Sequence, residues 1–308
     1  MRILYHNHGD GPSVAGLNRA RIKLPQVFST ESRESGLWPG KESDMETIRS
    51  KDGTSIAYQR SGSGPPLVLV HGTFGSHASW APVLPALEQR RTVYALDRRG
   101  YGESGDAPDY AVEREFEDIA ALADFIGEDV GLLGHSFGGL CVLEAALLTP
   151  KLGRLLVYEP SPLPVPGSPL YPEGIVDRLQ ALLDAGDREG VVITVFRELV
   201  KVPPDELERL KESPRFPAWV AAAHSAVRET LAEEEYRYEP ERFRNFEAST
   251  LLLLGGDSPV IFKATIEACH AALINSRIAL LQGQQHVAQL TAPDLFASEV
   301  LAFLDEPG

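Results

Sequence analysis

The sequence predicts an α/β fold built around a mostly parallel sheet, and two observations support this. Short apolar runs, typical of strands buried on both faces, alternate with amphipathic helical stretches. Strands that alternate with helices pair in parallel through right-handed crossovers. An Asp52-Gly53 turn signal between the first two predicted strands adds a hairpin, so antiparallel strands are expected at one edge.

Eight segments have the alternation or the continuous apolar character of strands. In chain order they are Thr47–Ser50, Thr54–Gln59, Leu67–Val70, Thr92–Leu96, Val130–Leu133, Arg154–Tyr158, Thr250–Leu254 and Arg277–Leu281. The predicted helices between them are Ser79–Gln89, Tyr110–Ile126, Leu140–Leu148, one between the last two strands, and Ala292–Leu304. Pro82 is acceptable only in the first turn of its helix.

The alternation stops once, over residues 161–247. This stretch begins with a proline-dense run, residues 160–166, and continues as charged helical segments without a clear strand. The helical segments are Gly174–Ala185, Arg188–Val200, Pro204–Lys211 and Ala218–Glu235. We therefore expect a helical cap at 161–247, inserted into a core formed by 45–160 and 248–308.

Residues 1–44 differ from the rest in composition. They are rich in Gly, Ser, Asn, Arg and Pro, and regular patterning starts only after Met45. We expect the folded domain to start near Met45, with residues 1–44 a disordered extension or an artefact of start-site choice. A peptide-binding tail is the alternative.

Composition excludes several classes of function. The formal net charge of −15 would repel a phosphate-rich partner, so no nucleic-acid binding is expected. No apolar run approaches the roughly 20 residues that span a bilayer. The two cysteines, Cys141 and Cys269, lie far apart without a metal-ligand spacing, and the N-terminus lacks a secretory pattern. We expect two buried reduced thiols, no metal site and a cytoplasmic location.

The most informative motif is Gly134-His135-Ser136-Phe137-Gly138. An apolar strand leads into it and a helix-forming stretch follows, which is the context of a nucleophile elbow. Small residues two before and two after the serine leave room for a strained turn that exposes its hydroxyl. A structural turn is the alternative, but the position between strand and helix favours a nucleophile.

A serine nucleophile needs a base, and the base needs an orienting acid. His286 follows the last predicted strand, and Asp257 follows the one before it. Ligands of open parallel sheets bind at the carboxyl ends of strands, so both are placed correctly. Two other acids compete. Glu159 ends a strand and could also reach the histidine, but we expect it to be structural or to line the pocket. Asp97 begins a glycine-rich loop that is more suited to shaping the site. We favour Asp257 as the acid.

The oxyanion of acyl transfer needs N–H donors. One is expected from Phe137, directly after the nucleophile. The second should come from the loop His71-Gly72-Thr73-Phe74-Gly75, with Thr73 as the first choice and Phe74 as the second. His71 is expected to hold this loop by a hydrogen bond and His135 to point back into the structure, so neither is assigned to the triad.

These motifs together resemble the α/β-hydrolase superfamily. The residues that carry the resemblance are His71-Gly72, the segment from Asp97 to Ser104, the serine pentapeptide and Gly283-Gln284-Gln285-His286. The resemblance covers about 46–305 and implies an eight-stranded, mostly parallel sheet, a helical cap after the sixth strand and no cofactor. A serine nucleophile differs from the aspartate of haloalkane dehalogenases and epoxide hydrolases, and the short loop after His71 differs from the His-Gly-Gly-Gly type of hormone-sensitive-lipase-like esterases.

The functional prediction is a serine hydrolase that cleaves a small or medium carboxylic ester or lactone. Carbon–carbon bond hydrolysis and cofactor-free lyase or haloperoxidase-like chemistry at the same site stay open, and a non-catalytic ligand receptor is a third alternative. The cap carries aromatic residues that suit a pocket or ordinary packing, namely Phe196, Phe216, Trp219 and Tyr236. Substrate identity and oligomeric state cannot be read from the sequence.

Overall fold

The computed structural model describes residues 45–163, 170–202 and 204–307. The segment 1–44, expected to be an extension, lies outside the described residues. One sheet of eight strands organises the fold, in the spatial order β1-β2-β4-β3-β5-β6-β7-β8. The pairings β1–β2 and β2–β4 are antiparallel, and all others are parallel. The predicted α/β-hydrolase architecture is confirmed, including the antiparallel edge.

The strands lie close to their predicted positions. They are β1 Met45–Arg49, β2 Ser55–Gly62, β3 Pro66–Val70, β4 Thr92–Leu96, β5 Val130–His135, β6 Leu152–Tyr158, β7 Ser249–Gly255 and β8 Ser276–Leu281. In the central strands the apolar side chains are buried on both faces of the sheet, which explains their continuous apolar runs.

The helices of the core flank this sheet. They are α1 Leu84–Leu87, α2 Val112–Ile126, α3 Phe137–Ala145, α9 Val260–Ala272, α10 Ala288–Thr291 and α11 Pro293–Leu304. One apolar cluster joins α2, α3 and α9 to one face of the sheet, and a second joins α1 and α11 to the other. Both cysteines are buried and unpaired, as expected.

The predicted helix Ser79–Gln89 is shorter than expected. A 3₁₀ turn covers His77–Trp80, and α1 begins only after Pro82. Proline lacks an N–H and its ring clashes with the carbonyl four residues earlier, so Pro82 cannot lie inside a continuous helix. The predicted helix has Pro82 in its first turn, but the chain around Pro82 does not form that turn of α-helix.

The cap lies between β6 and β7, after the sixth strand as predicted. Its helices are α4 Ile175–Asp184, α5 Arg188–Thr194, α6 Pro204–Lys211, α7 Phe216–Ala221 and α8 Ala223–Glu235, and a π-helical turn, Val195–Leu199, follows α5. The expected single helix Ala218–Glu235 is divided into α7 and α8 at Ala222. The cap has an apolar core of its own, against which Phe74 of the sheet domain packs.

This topology positions the site. The parallel strands β3 to β8 end at the same edge of the sheet, and each predicted functional residue follows one of them: Thr73 after β3, Asp97 after β4, Ser136 after β5, Glu159 after β6, Asp257 after β7 and His286 after β8. The cap is inserted directly after Glu159, so it begins at the same edge of the sheet.

Candidate active site

Ser136 occupies a strained turn between β5 and α3. Its backbone has φ 55° and ψ −125°, a conformation that non-glycine residues rarely adopt. Backbone hydrogen bonds to the neighbouring strand and the cap entry hold it: the Ser136 N–H donates to the Tyr158 carbonyl at 3.1 Å, and the Ser136 carbonyl, which also accepts within α3, accepts from the Ser161 N–H at 3.1 Å. Its hydroxyl has no hydrogen-bond partner among the described residues, so it is available to a substrate.

The glycines around the serine are required by space. A Cβ at Gly134 would overlap the carbonyl oxygen of Gly138, and a Cβ at Gly138 would overlap the carbonyl oxygens of Val70 and His71. The loop after β3 approaches just as closely, because a Cβ at Gly72 would lie 2.8 Å from the Cβ of Ser136. The pentapeptide therefore allows the turn and also allows the loop to reach the serine.

Gly138→Ala is expected to destabilise the protein by about 3 kcal/mol or more, since the new methyl group would meet backbone atoms that cannot move aside. Urea unfolding measures the loss. Gly131→Ala in β5 is the matched control, because its Cβ would meet the flexible end of Leu67 at 3.1 Å. Equal stability of the two variants would contradict this packing argument.

His286 is paired with Glu159. Its Nδ1 donates to Glu159 Oε2 at 2.7 Å, while Oε1 of the same carboxylate accepts from the Gly255 N–H at 2.7 Å. Glu159 is fully buried and has a positive φ of 38°. An Nδ1–H on His286 leaves Nε2 as the free lone pair, which is the tautomer that a general base requires.

Packing also restricts the His286 ring. Phe262 of α9 stacks on it with centroids 4.2 Å apart and an angle of 19°, and the ring of His135 lies 4.6 Å from it. Since His135 directly precedes Ser136, this contact places the histidine beside the elbow. His135 Nε2 donates to the His286 carbonyl at 2.6 Å, so His135 points back and braces the loop, as expected.

Tyr158 holds the histidine loop from the end of β6. Its hydroxyl donates to the Gln285 carbonyl and accepts from the Ala288 N–H at 2.9 Å. Both residues at the end of this strand, Tyr158 and Glu159, therefore fix the loop that carries His286. Sequence reasoning assigned Tyr158 only to a strand, because nothing in a strand pattern indicates a hydroxyl bridging two loop amides.

The structure does not bring Asp257 to His286, so the assignment of the acid has to be corrected. The Asp257 side chain is exposed and forms no hydrogen bond among the described residues, while its backbone N–H donates to the Gln284 carbonyl at 2.9 Å. The Gly255–Gly256 turn packs against residues 282–285 with no room for a Cβ at Gly255, which directs the chain past the histidine. Glu159, the rival acid, lies at the ring instead.

The two expected oxyanion donors are chain neighbours of the elbow: Phe137 directly follows Ser136, and Thr73 directly follows Gly72, which closely approaches the serine. The Phe137 N–H is at the first position of α3, where helix N–H groups are unpaired. The Thr73 N–H has no partner among the described residues. The Phe74 N–H, the second choice, points to the Tyr101 hydroxyl at 3.4 Å, which favours Thr73.

The other polar residues of this edge are structural. His71 is buried, donates from Nδ1 to the Gly72 carbonyl at 2.7 Å and accepts at Nε2 from the Arg98 N–H at 3.1 Å. Burial, together with nearby Arg98, lowers the pKa of His71 to about 3, so it is a neutral brace. Asp97 accepts from the N–H groups of His77 and Glu103 at 2.7 Å and 3.0 Å and shapes its loop as expected.

A buried ionic network lies between the core and the cap, and sequence reasoning did not find it. Arg98 pairs with Glu115 of α2 at 3.0 Å and with Glu229 of α8. All three side chains are about 1% exposed. A charged residue on a helix usually faces solvent, so the sequence offers no signal that Glu229 faces inward.

A second buried acid of α8 lies one turn further along. Glu233 accepts hydrogen bonds from the Ser161 hydroxyl and the Tyr171 hydroxyl, both at 2.5 Å. Burial raises the pKa of Glu233 from its ordinary 4.5 to about 7; nearby Glu229 adds to the rise, while the two hydroxyls and Arg98 oppose it. Because Ser161 donates to the backbone of Ser136, this carboxyl lies close to the nucleophile.

The raised pKa of Glu233 predicts a pH dependence of stability. The folded state retains a proton that the unfolded chain loses above pH 4.5, so this stabilising contribution is complete below that pH and is lost as pH rises to about 7. Glu233→Gln cannot ionise. Between about pH 5 and pH 8 we therefore expect its free energy of unfolding to rise by roughly 3 kcal/mol relative to that of the wild type. Urea unfolding at the two pH values measures it.

Glu235→Gln, on the exposed side of the same helix, is the control and should follow the wild type. If the free energies of unfolding of Glu233→Gln and the wild type differed by the same amount at both pH values, the buried carboxyl would not be protonated in the folded state.

The aromatic pocket candidates divide into two groups. Phe196 and Trp219 pack on Phe74 with ring centroids 5.4 Å and 6.4 Å away, and Phe216 packs behind Trp219. Tyr236 instead donates to Glu144 of α3 at 2.5 Å. The first group therefore lies beside the loop that follows β3, and Tyr236 fastens the base of the cap.

Comparison with known proteins agrees with this fold. The model of the alpha/beta hydrolase family matches residues 67–299. The chain belongs to the alpha/beta hydrolase family. An alpha/beta hydrolase structure from Sphaerobacter thermophilus is 37% identical, with a TM-score of 0.75, and the match covers 84% of this chain and 99% of that one. Among the helices of the described residues, none is long and apolar enough to cross a membrane.

Two curated relatives show how varied the family is. The (E)-2-((N-methylformamido)methylene)succinate hydrolase of Acinetobacter baylyi is 24% identical over 84% of this chain and 97% of its own length. The bifunctional epoxide hydrolase 2 of Rattus norvegicus is 31% identical over 50% of this chain, but the match spans only 29% of that protein. These similarities support a hydrolase without selecting a substrate.

Proposed function

We propose that this alpha/beta hydrolase is a serine hydrolase that cleaves a small or medium carboxylic ester or lactone through an acyl-enzyme. The observation that carries the proposal is the pairing of His286 Nδ1 with Glu159 at 2.7 Å beside the strained elbow of Ser136. A buried carboxylate at Nδ1 gives the ring the tautomer and the orientation of a general base.

In the first half-reaction the Ser136 hydroxyl attacks the substrate carbonyl while His286 Nε2 takes its proton. The catalytic hydrogen bond between serine and histidine often tightens only when substrate is bound. The tetrahedral intermediate collapses as the imidazolium returns the proton to the leaving alcohol. A lactone gives the same acyl-enzyme with the alcohol still attached to the acyl group.

In the second half-reaction water attacks the acyl-enzyme, and His286 again accepts the proton and then returns it to Ser136. The carboxylate of Glu159 stabilises the imidazolium through its bond to Nδ1, and its second oxygen is held by the Gly255 N–H. The N–H groups of Thr73 and Phe137 stabilise the oxyanion in both halves.

The same site also suits a second candidate, hydrolysis of a carbonyl substrate that is not an ester, including carbon–carbon bond hydrolysis. The observation that favours it is the Acinetobacter relative, whose name gives it an N-methylformamido-methylene-succinate substrate and whose match covers nearly its full length. Cofactor-free lyase or haloperoxidase-like chemistry would use the same residues.

A substrate panel separates these candidates. Purified protein is labelled with a fluorophosphonate and assayed on p-nitrophenyl esters of increasing chain length and on lactones of increasing ring size. We expect stoichiometric labelling and turnover of at least one short ester or lactone. Labelling without ester or lactone turnover would favour the second candidate, and absence of labelling would contradict a serine hydrolase.

A further inference from the structure

Glu229 is a cap residue whose carboxylate serves the core. It lies on α8, is 1% exposed, and accepts a hydrogen bond from the Thr73 hydroxyl at 2.6 Å. It also accepts from the guanidinium of Arg98. Two core groups therefore converge on one carboxylate that the cap supplies.

Two consecutive residues of the loop after β3 contact this network. Thr73 is held directly by Glu229 through its hydroxyl. The Phe74 N–H faces the Tyr101 hydroxyl at 3.4 Å, and the guanidinium of Arg98, which pairs with Glu229, lies 5.0 Å from the centroid of the Tyr101 ring. The Phe74 ring also packs on the cap residues Phe196 and Trp219. The backbone of Phe74 has a φ of 58°, which an unsupported loop would not favour.

The network also reaches the other side of the serine. The guanidinium of Arg98, which pairs with Glu229, lies 4.7 Å from the ring centroid of Phe137 in a cation–π contact. Arg98 is held from behind by Glu115 of α2. Separating one member from such a buried network would leave an uncompensated charge. This cost keeps the network in one geometry.

We propose that Glu229 is a positioning residue that holds the oxyanion loop from the cap, through the hydroxyl of Thr73. This rests on the proposed function, in which the Thr73 N–H is an oxyanion donor. The cap then has a role besides covering the substrate: the oxyanion hole is complete only when α8 is seated on the core.

A purely structural brace makes a different prediction. If the bond between Thr73 and Glu229 only fastened the cap, losing it would lower stability and raise KM while kcat stayed unchanged. If it positions a donor that acts on the transition state, losing it lowers kcat and leaves KM unchanged. The two cases are therefore separable by kinetics.

The test uses Thr73→Val, which keeps the backbone N–H and the shape of the side chain but loses the hydroxyl. With the best ester of the panel we expect kcat to fall about tenfold with KM within about twofold, a smaller loss than removal of a whole donor. Thr73→Ser, which restores the hydroxyl, should recover most of the rate. The active fraction is counted by the endpoint of fluorophosphonate labelling.

Thr230→Val is the matched control. Thr230 is buried on the same helix and its hydroxyl donates only within the helix, to the Ala226 carbonyl at 2.8 Å. The substitution is expected to lower the melting temperature and leave kcat unchanged. An unchanged kcat in Thr73→Val, or equal kcat losses in Thr73→Val and Thr230→Val, would overturn the proposal.

Glu229→Met, which removes both carboxylate oxygens, tests the cap side of the bond. Its kcat should also fall, and the double variant Thr73→Val/Glu229→Met should be no slower than the slower single variant, because each single variant already lacks the bond between residues 73 and 229. Multiplied losses would overturn the proposal. Failure of the proposed function would look different, since the wild type itself would then turn over no ester or lactone.

Discussion

Replacing Ser136 with alanine is expected to lower kcat for an aryl ester by a factor on the order of 10⁴ or more, because the acyl-enzyme can no longer form. His286→Ala should cause a loss of similar size, and the double variant should lose little more, since the two residues act as one unit. Steady-state kinetics on p-nitrophenyl esters measure the effect.

Ser63→Ala is the control for this pair, because Ser63 is exposed in the loop between β2 and β3. Its kinetics should equal those of the wild type. Retention of full ester turnover by Ser136→Ala would remove the basis of the proposed mechanism.

Replacing Glu159 with glutamine is expected to lower kcat by about 10³ to 10⁴, with KM little changed. The amide keeps an acceptor for the Gly255 N–H but has no charge to stabilise the imidazolium, and its NH₂ group can favour the wrong tautomer of His286. Asp257→Asn is the matched variant, since it makes the same chemical change at the acid that the sequence favoured. It should keep activity within about twofold of the wild type.

The reverse outcome, with Asp257→Asn inactive and Glu159→Gln active, would restore Asp257 as the acid. Glu159→Gln also changes a fully buried group, so circular dichroism and urea unfolding must accompany the kinetics. A folded Glu159→Gln variant with wild-type kcat would show that the contact with His286 does not serve catalysis.

The sheet could be predicted because its strands are short, apolar and separated by helical patterns. Burial on both faces leaves the central strands almost no polar residues, and this signal is local. Helix ends were harder: α1 begins later than predicted because Pro82 interrupts the helix, and Ala222 divides α7 from α8 without any local marker in the sequence.

Ser136 and His286 could be located because their roles depend on which strand precedes them. The choice between Glu159 and Asp257 depends on how two loops pack. The Gly255 turn leaves no room for a Cβ beside residues 284 and 285, and Glu159 adopts a positive φ that its sequence does not require. Such relations join residues about a hundred positions apart, so single-sequence reasoning could name both acids without choosing correctly.

The cap was the least predictable part for the same reason. Ser225, Glu229 and Glu233 lie one turn apart on α8, and an isolated helix with this pattern would be expected to turn its carboxylates to water. Here Arg98 and the hydroxyls of Thr73, Ser161 and Tyr171 make burial possible. Those partners come from distant segments that only the fold brings together.

Mapping a fluorophosphonate adduct tests most directly whether Ser136 is the nucleophile that His286 and Glu159 activate. The labelled protein is digested and the modified peptide identified by mass spectrometry. We expect one adduct, on Ser136, that forms far more slowly in His286→Ala and in Glu159→Gln but at the wild-type rate in Asp257→Asn. An adduct on another residue, or labelling that depends on Asp257 and not on Glu159, would contradict it.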